Sequence, residues 1–252
     1  MSDSKKLPIA LQLYSVRHAC AQDLPATLQA VAQMGYDGVE FAGYYDHDAK
    51  ELRKMLDGLG LKVAGTHTGF DTLLGDELKR TVEFNRELGN AFLIAPGLPA
   101  ERTGSREAWK ETAKLLDEIA ARVADDGFFV GCHNHAAEFQ DFDGQFGWDI
   151  LYSNSTRVAM QMDTGNALHA GAEPVEFMKK YPHRSQTVHL KEYSRADGWV
   201  PIGQGDVNWK GVFDFCETEG DTQWYIVEFE NEDYDVMKAV ESCLQALRGM
   251  GK

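Results

Sequence analysis

Residues 187–192 are Thr187-Val188-His189-Leu190-Lys191-Glu192, a short apolar strand that ends in a histidine and a lysine. Two other apolar runs end in a similar way, because residues 158–163 finish at Asp163 and residues 224–228 finish at Glu228. In a parallel barrel the carboxyl ends of all strands open on one face, so residues distant in sequence become neighbours around one pocket. The pattern therefore predicts a catalytic site that contains Asp163, His189 and Glu228.

Short β-like runs alternate with helical patterns along the whole chain. The eight predicted strands are residues 8–13, 37–41, 61–66, 91–95, 127–133, 157–162, 185–190 and 223–228. Apolar residues at helical spacing predict helices over 23–34, 47–59, 76–88, 105–125, 174–181, 208–219 and 233–248. Asp23 and Ser105 are predicted helix caps. Such alternation implies parallel pairing through right-handed crossovers. We therefore predict an α/β fold, a single (β/α)8 TIM barrel that forms one domain over residues 1–252.

Composition limits the classes of partner. The net charge of −15 and the pI near 4.9 repel phosphate backbones and anionic lipid surfaces. The first residues hold no apolar stretch of the length that a signal peptide or a membrane span needs. We therefore expect no nucleic acid partner, no membrane association and a cytoplasmic location. Four scattered cysteines form no CxxC pair and are expected to be reduced, packed thiols: Cys20, Cys132, Cys216 and Cys243.

The fifth predicted strand ends in a segment rich in possible metal ligands. His133, His135 and Glu138 lie within six residues of one another. Imidazole nitrogen and carboxylate oxygen together suit Mn²⁺, Zn²⁺, Fe²⁺ or Co²⁺, whereas Mg²⁺ prefers oxygen alone. The alternative is that the histidines bond to backbone groups and that Glu138 is solvated. Metal-ligand residues at neighbouring strand ends favour a functional site.

Several motifs together resemble the xylose isomerase-like TIM barrel superfamily, and more narrowly its sugar phosphate isomerase/epimerase branch. The resemblance spans essentially the whole chain. Its motifs are Gln12-Leu13-Tyr14-Ser15-Val16-Arg17, Gly35-Tyr36-Asp37-Gly38-Val39-Glu40-Phe41, His133-Asn134-His135-x-x-Glu138-Phe139, Met162-Asp163-Thr164-Gly165-Asn166, His189-Leu190-Lys191-Glu192, Pro201-Ile202-Gly203-Gln204-Gly205-Asp206 and Val227-Glu228.

The resemblance implies one divalent metal ion held by a Glu-Asp-His-Glu set. Asp163, His189 and Glu228 match that set directly, and Glu138 is our choice for the first glutamate. Many family members place this glutamate where the chain has His133, so His133 and His135 are alternative ligands. Manganese is the first choice of metal, with Zn²⁺, Co²⁺, Fe²⁺ or Mg²⁺ as alternatives. Barrels of this type commonly pair, which leaves a homodimer open.

The implied reaction is proton transfer next to a sugar carbonyl, which the metal would polarise. Glu138 and Glu228 would form an acid/base pair, with His135 as a rival base that could also protonate a departing hydroxyl. Lys191 would stabilise developing enolate charge, and its alternative is a rim salt bridge with Glu192 or Asp163.

The remaining predicted residues contact the substrate. They are Gln12, Glu40, His67, His133 and Trp199. His67 has a structural alternative, since a buried histidine often only completes a hydrogen-bond network, and Glu40 could instead brace a ligand.

The function predicted from the resemblance is a metal-dependent sugar isomerase or epimerase acting on a ketose or related small-molecule sugar. The alternative is a dehydratase or lyase that acts on a keto-sugar, keto-glycoside or inosose. Nuclease activity shares this barrel type but is opposed by the acidic charge, and a sugar-binding protein without activity is the last alternative.

Overall fold

The computed structural model describes residues 6–252, which form a barrel of parallel strands surrounded by helices. Each of the eight barrel strands lies where the sequence pattern predicts one. They are β1 (Ile9–Gln12), β2 (Gly38–Phe41), β3 (Lys62–His67), β4 (Phe92–Ala95), β5 (Phe129–His133), β6 (Ala159–Gln161), β7 (Thr187–Leu190) and β10 (Trp224–Val227). Six of these strands are buried along their whole length, as strands covered on both faces should be.

The strands follow the order β6-β5-β4-β3-β2-β1-β10-β7, with every pair parallel. Between β6 and β7 the contact is reduced to an isolated parallel bridge that pairs Asp163 with His189. The His189 amide donates to the Met162 carbonyl at 2.8 Å across this junction. The sheet is therefore a nearly closed barrel, and the predicted fold class is confirmed.

The helices differ from the predicted set mainly by short additions. Asp23 caps α2 by accepting from the Ala26 amide at 2.9 Å, and Ser105 caps α6 by accepting from the Ala108 amide at 3.1 Å, as predicted. The helices are α1 (Arg17–Gln22), α2 (Leu24–Met34), α3 (Ala49–Leu59), α4 (Glu77–Leu88), α5 (Ala100–Thr103), α6 (Arg106–Val123), α7 (Gly147–Ser153), α8 (Thr164–His169), α9 (Pro174–Met178), α10 (Trp209–Thr218) and α11 (Val236–Gly249). The unpredicted ones are α1, α5, α7 and α8, which are all short.

A two-stranded antiparallel hairpin was not predicted. It consists of β8 (Tyr193–Ser194) and β9 (Gly198–Trp199), inside the stretch that follows β7. This position is at the carboxyl end of the barrel, where the loops of such folds carry function.

The barrel interior changes character along its axis. A small apolar cluster separate from the main core contains Ala10 and Ile226, which are register partners on β1 and β10. Two residues further along the same strands stand Gln12 and Glu228, and alternation puts them on the same side of the sheet as the apolar pair. An apolar plug therefore lies beneath a buried polar layer at the carboxyl ends of the strands.

The four cysteines are buried and free. Across residues 6–252, none of the helices has the length and apolar character that a membrane crossing requires.

Candidate metal centre and active site

Four side chains at consecutive strand ends converge in the upper part of the barrel. His133, Asp163, His189 and Glu228 each present one ligand atom, and these atoms lie within 4.8 Å of one another. His133 ends β5, Asp163 and Glu228 follow β6 and β10, and His189 is the last residue but one of β7; all four are buried. The structure thus brings together the three residues predicted from their strand ends. The fourth member of this group is His133, which the sequence left as an alternative to Glu138.

Asp163 is held rigidly by its neighbours and leaves one oxygen free. Asn134 accepts from the Asp163 amide at 2.8 Å and donates to its carbonyl at 3.1 Å. The Asp163 Oδ1 atom caps α8 by accepting from the Asn166 amide at 2.7 Å. The Oδ2 atom is buried with no hydrogen-bond partner among residues 6–252, and it lies 3.8 Å from His133 Nε2 and 3.9 Å from His189 Nδ1. Burial raises the pKa of Asp163 to about 7.

His189 lies between two carboxylates. Its Nδ1 atom is 2.6 Å from Glu228 Oε2, and its Nε2 atom is 2.5 Å from Glu40 Oε2. Burial acts to lower the pKa of this imidazole, but Glu40 and Glu228 outweigh burial and raise the pKa to about 10. Nδ1 therefore faces the four-residue group, while Nε2 bonds to Glu40 on the opposite side of the ring.

Glu40 is the centre of the polar layer beneath the group. It accepts from Gln12 Nε2 and from Gln161 Nε2, each at 2.7 Å, and His67 Nε2 lies 3.3 Å from its Oε2 atom. A Cβ atom at Gly65 would lie 2.5 Å from Glu40 Oε1, so glycine leaves the space that this carboxylate occupies. Gln12 and Glu40 were predicted from the sequence to contact the substrate. Both are fully buried and bonded to protein groups, a position that fits the bracing of His189.

Replacing Glu40 with glutamine should weaken metal binding without removing a ligand. Glutamine keeps one acceptor oxygen, but its amide hydrogens would face the N–H donors that now bond to the other oxygen of Glu40. The network that orients His189 would therefore be disturbed. We expect affinity for Mn²⁺ to fall by about 10–100-fold, the usual cost of losing an outer-shell partner, as measured by isothermal titration calorimetry. The matched control is Glu83→Gln, an exposed glutamate 3.9 Å from Lys79. Equal affinities in both variants would show that Glu40 does not brace the site.

Lys191 is buried and bridges two carboxylates. Its Nζ atom donates to Glu228 Oε1 at 3.1 Å and to Glu230 Oε1 at 2.6 Å, and it lies 4.8 Å from the centre of the Trp199 ring. Burial would lower the pKa of Lys191, but the charges of Glu228, Asp163 and Glu230 outweigh burial and raise it. The ammonium group is thus a fixed positive charge at the site. Of the two partners predicted for a rim salt bridge, Asp163 is present, with its Oδ2 atom 4.0 Å from Nζ, but the pair is buried rather than at the rim.

The histidines form a continuous group of rings above the polar layer. His67 stacks on His189, with ring centroids 5.2 Å apart and an angle of 11° between planes, and its Nε2 atom bonds to Gln161 Oε1 at 2.9 Å. The His133 ring centroid lies 4.6 Å from that of His189 and 4.9 Å from that of His135. His135 is exposed, so it is the imidazole that a ligand reaches first.

Two residues that complete the site, Gln161 and Asn134, were not among the predicted site residues. Gln161 connects Glu40, His67 and the Thr187 hydroxyl, and Asn134 fixes the backbone of Asp163. Gln161 precedes Asp163 by two residues, so strand alternation alone could have placed it on the same face. Nothing local signals the role of Asn134, because its partner is 29 residues away.

Glu138 lies outside the four-residue group. Its Oε2 atom accepts from the His135 amide at 2.7 Å, and the side chain is buried in a short 3-10 turn. Burial raises the pKa of Glu138 to about 7. Its predicted roles as metal ligand and as a proton-transfer partner of Glu228 remain predictions.

Glu138 should make the stability of the metal-free protein depend on pH. Its folded pKa of about 7 exceeds the ordinary value of 4.5, so the folded state binds more protons between these values and stability falls as pH rises through that window. At about 1.4 kcal/mol per pKa unit, the loss is roughly 3 kcal/mol. In urea unfolding between pH 4 and 8, Glu138→Gln should remove this pH-dependent part of the free energy of unfolding. The control Glu241→Gln, at an exposed position, should leave it unchanged. Identical pH profiles for wild type and Glu138→Gln would contradict this, whereas loss of metal binding in that variant would make Glu138 a ligand.

The four-residue group fits a divalent cation. Metal–ligand distances of about 2.0–2.2 Å let ligand atoms lie up to roughly 4 Å apart across one ion, close to the spread seen here. The unpartnered, buried Asp163 Oδ2 atom faces the other ligand atoms, as a carboxylate oxygen reserved for a cation would. Two imidazoles and two carboxylates suit Mn²⁺, Fe²⁺, Co²⁺ or Zn²⁺.

Fold and site together define a (β/α)8 barrel with a group of residues that could hold a metal ion at the carboxyl ends of its strands. The chain belongs to the xylose isomerase-like TIM barrel family, whose model matches residues 28–250. It is 22% identical over 246 residues to an inosose dehydratase of Clostridium botulinum, covering 81% of this chain and 82% of that protein.

Solved structures with the same fold come from several enzymes. A sugar phosphate isomerase/epimerase from Parabacteroides distasonis superposes with a TM-score of 0.84 at 23% identity, covering 98% of this chain and 95% of that one. An L-ribulose 3-epimerase superposes with a TM-score of 0.69 at 19% identity, covering 98% and 94%. The predicted family is confirmed. Its curated relatives include inosose dehydratases, and the solved structures of the same fold include an L-ribulose 3-epimerase.

Proposed function

We propose that this protein is a divalent-metal-dependent sugar isomerase or epimerase that transfers a proton at the carbon next to a carbonyl. The observation that carries the proposal is the convergence of His133, Asp163, His189 and Glu228, with the buried Asp163 Oδ2 atom left without a partner. A small-molecule ketose or related sugar is the proposed substrate, and Mn²⁺ is the proposed ion.

When bound, a divalent ion would supply Lewis acidity that polarises a carbonyl and makes the neighbouring proton removable. The protein supplies a base and a fixed positive charge. Burial would raise the pKa of Glu228, but Lys191 and His189 outweigh burial and hold it well below the usual range. Glu228 is therefore ionised at neutral pH, the state in which a carboxylate accepts a proton.

Lys191, which bonds to Glu228, would supply the fixed positive charge. Its ammonium group is charged, buried and fixed between Glu228 and Glu230. A positive charge fixed in a water-poor site stabilises an enolate oxygen more strongly than one in water. Lys191 would therefore hold negative charge that develops on the substrate.

Dehydration is the second candidate function. It is favoured by His135, which is exposed and adjacent to His133, and which could protonate a leaving hydroxyl once the neighbouring carbon has lost its proton. Similarity to inosose dehydratases supports the same reaction. The two functions share proton abstraction and differ in whether the sugar then loses water.

The deciding experiment incubates Mn²⁺-loaded protein with a panel of ketoses and inososes in D₂O. Isomerisation or epimerisation predicts deuterium at the carbon next to the carbonyl without loss of water, detected by NMR. Dehydration predicts an unsaturated product that absorbs in the ultraviolet. The proposal fails if the purified protein binds no divalent metal and exchanges no carbon-bound hydrogen.

A further inference from the structure

Glu192 is a buried carboxylate next to Lys191 that bonds to none of the four metal-ligand residues. Its Oε1 atom accepts from the Val207 amide at 3.0 Å and from the Tyr193 amide at 3.3 Å. Its Oε2 atom accepts from the Gly203 amide at 2.9 Å and from Trp209 Nε1 at 2.6 Å. One side chain two residues after β7 thus accepts from four N–H groups of the segment 193–209, which ends at the first residue of α10.

The segment 193–209 closes around this carboxylate. A Cβ atom at Gly205 would lie 2.6 Å from both Glu192 Oε1 and the Tyr193 carbonyl oxygen, so glycine permits the close approach. The Asp206 amide donates to the Tyr193 carbonyl at 2.9 Å. Neither end of the segment can therefore move without breaking contacts to Glu192 or to its neighbour.

The closed segment carries the β8–β9 hairpin toward the metal-ligand group. Trp199 on β9 lies over the Lys191 ammonium at 4.8 Å, and its ring centroid is 5.2 Å from that of His169. The Trp199 carbonyl accepts from Asn231 Nδ2 at 2.8 Å, which ties the hairpin to the loop after β10. The hairpin thus forms one wall beside Lys191.

We propose that Glu192 is a positioning residue that fixes the β8–β9 hairpin, and with it Trp199, as the wall of the sugar site beside Lys191. This rests on the proposed function in one respect only, that a sugar binds at the metal-ligand group. Glu192 acts through Trp199 and does not contact the substrate.

The test uses Glu192→Gln in the full-length, Mn²⁺-loaded protein. Glutamine has one acceptor oxygen, and its amide hydrogens would face two of the four N–H donors. Hydrogen exchange followed by mass spectrometry should be at least tenfold faster in peptides covering 193–209, and unchanged in peptides covering 159–166 and 224–230. Affinity for Mn²⁺ should stay within twofold, because no ligand is touched. The matched control is Glu173→Gln, an exposed glutamate paired with Arg195 of the same segment at 2.7 Å, which should leave exchange unchanged.

A double-mutant cycle with Trp199→Ala tests whether Glu192 acts through the wall. KM for the sugar should rise at least tenfold in Glu192→Gln. The double variant should have the same KM as Trp199→Ala alone, because the effects of coupled residues do not add. Additive effects, or unchanged exchange, overturn the proposal. If Glu192→Gln does not fold, Trp209→Phe removes one donor and should give a smaller change of the same kind. The exchange measurement needs no turnover, so a wild type without sugar turnover would reject the proposed function and leave this test intact.

Discussion

Asp163→Asn is expected to abolish metal binding and to reduce turnover by about 1,000-fold or more. The substitution removes the negative charge from the one side-chain oxygen of Asp163 that faces the other ligand atoms. Metal-ion catalysis lowers the activation barrier by several kcal/mol, and each 1.4 kcal/mol changes the rate about tenfold. Isothermal titration calorimetry with Mn²⁺ and steady-state kinetics on the sugar identified in D₂O measure the two effects.

Asparagine separates the proposed metal role of Asp163 from its structural role. Asn caps helices as well as Asp does, so the bond from the Asn166 amide is preserved. Because the folded pKa of Asp163 lies above its ordinary value, ionisation disfavours the folded state as pH rises to about 7. The metal-free Asp163→Asn protein should therefore be at least as stable as wild type at pH 8. Normal Mn²⁺ affinity in this variant would remove the basis of the proposed function.

Lys191→Met is expected to lower both stability and turnover. Methionine fills similar space, but it leaves Glu228 and Glu230 without the cation that bonds to both. Breaking a buried ion pair by removing one partner costs about 3–5 kcal/mol, and loss of a preorganised charge at the reacting oxygen costs about 10²–10³ in kcat. Urea unfolding and steady-state kinetics report the two losses separately.

The double variant Lys191→Met/Glu230→Gln provides the control for this substitution. It removes one negative charge together with the positive one, so most of the lost stability should return. Turnover should not return, because the ammonium group is still absent. If stability and turnover both recover in the double variant, Lys191 only balances charge. If Lys191→Met alone has wild-type stability and turnover, Lys191 neither balances charge nor assists the reaction.

The strand ends were the strongest signal in the sequence. Alternating apolar runs predicted all eight barrel strands, and the shared position of Asp163, His189 and Glu228 predicted their convergence, because parallel strands bring their carboxyl ends together. These inferences depend on periodicity and chain direction. Both are properties that the local sequence carries.

The fourth member of the group and the polar layer beneath it were harder to predict. His133 and Glu138 are five residues apart, and the sequence does not show that the chain turns between them and sends Glu138 toward the His135 amide. Glu40 and Gln161 are 121 residues apart yet directly bonded, a pairing set by barrel closure. Short helices and the β8–β9 hairpin depend on contacts such as those of Glu192, which no periodic pattern records.

The junction between β6 and β7 makes Asp163 and His189 part of the barrel's closure as well as of the proposed metal site. An ion bound by both residues would cross-link β6 and β7, the pair of neighbouring strands joined only by an isolated bridge. Metal binding and closure of the barrel between β6 and β7 would then be coupled. A substitution that weakens the β6–β7 junction would therefore lower activity without contacting the substrate.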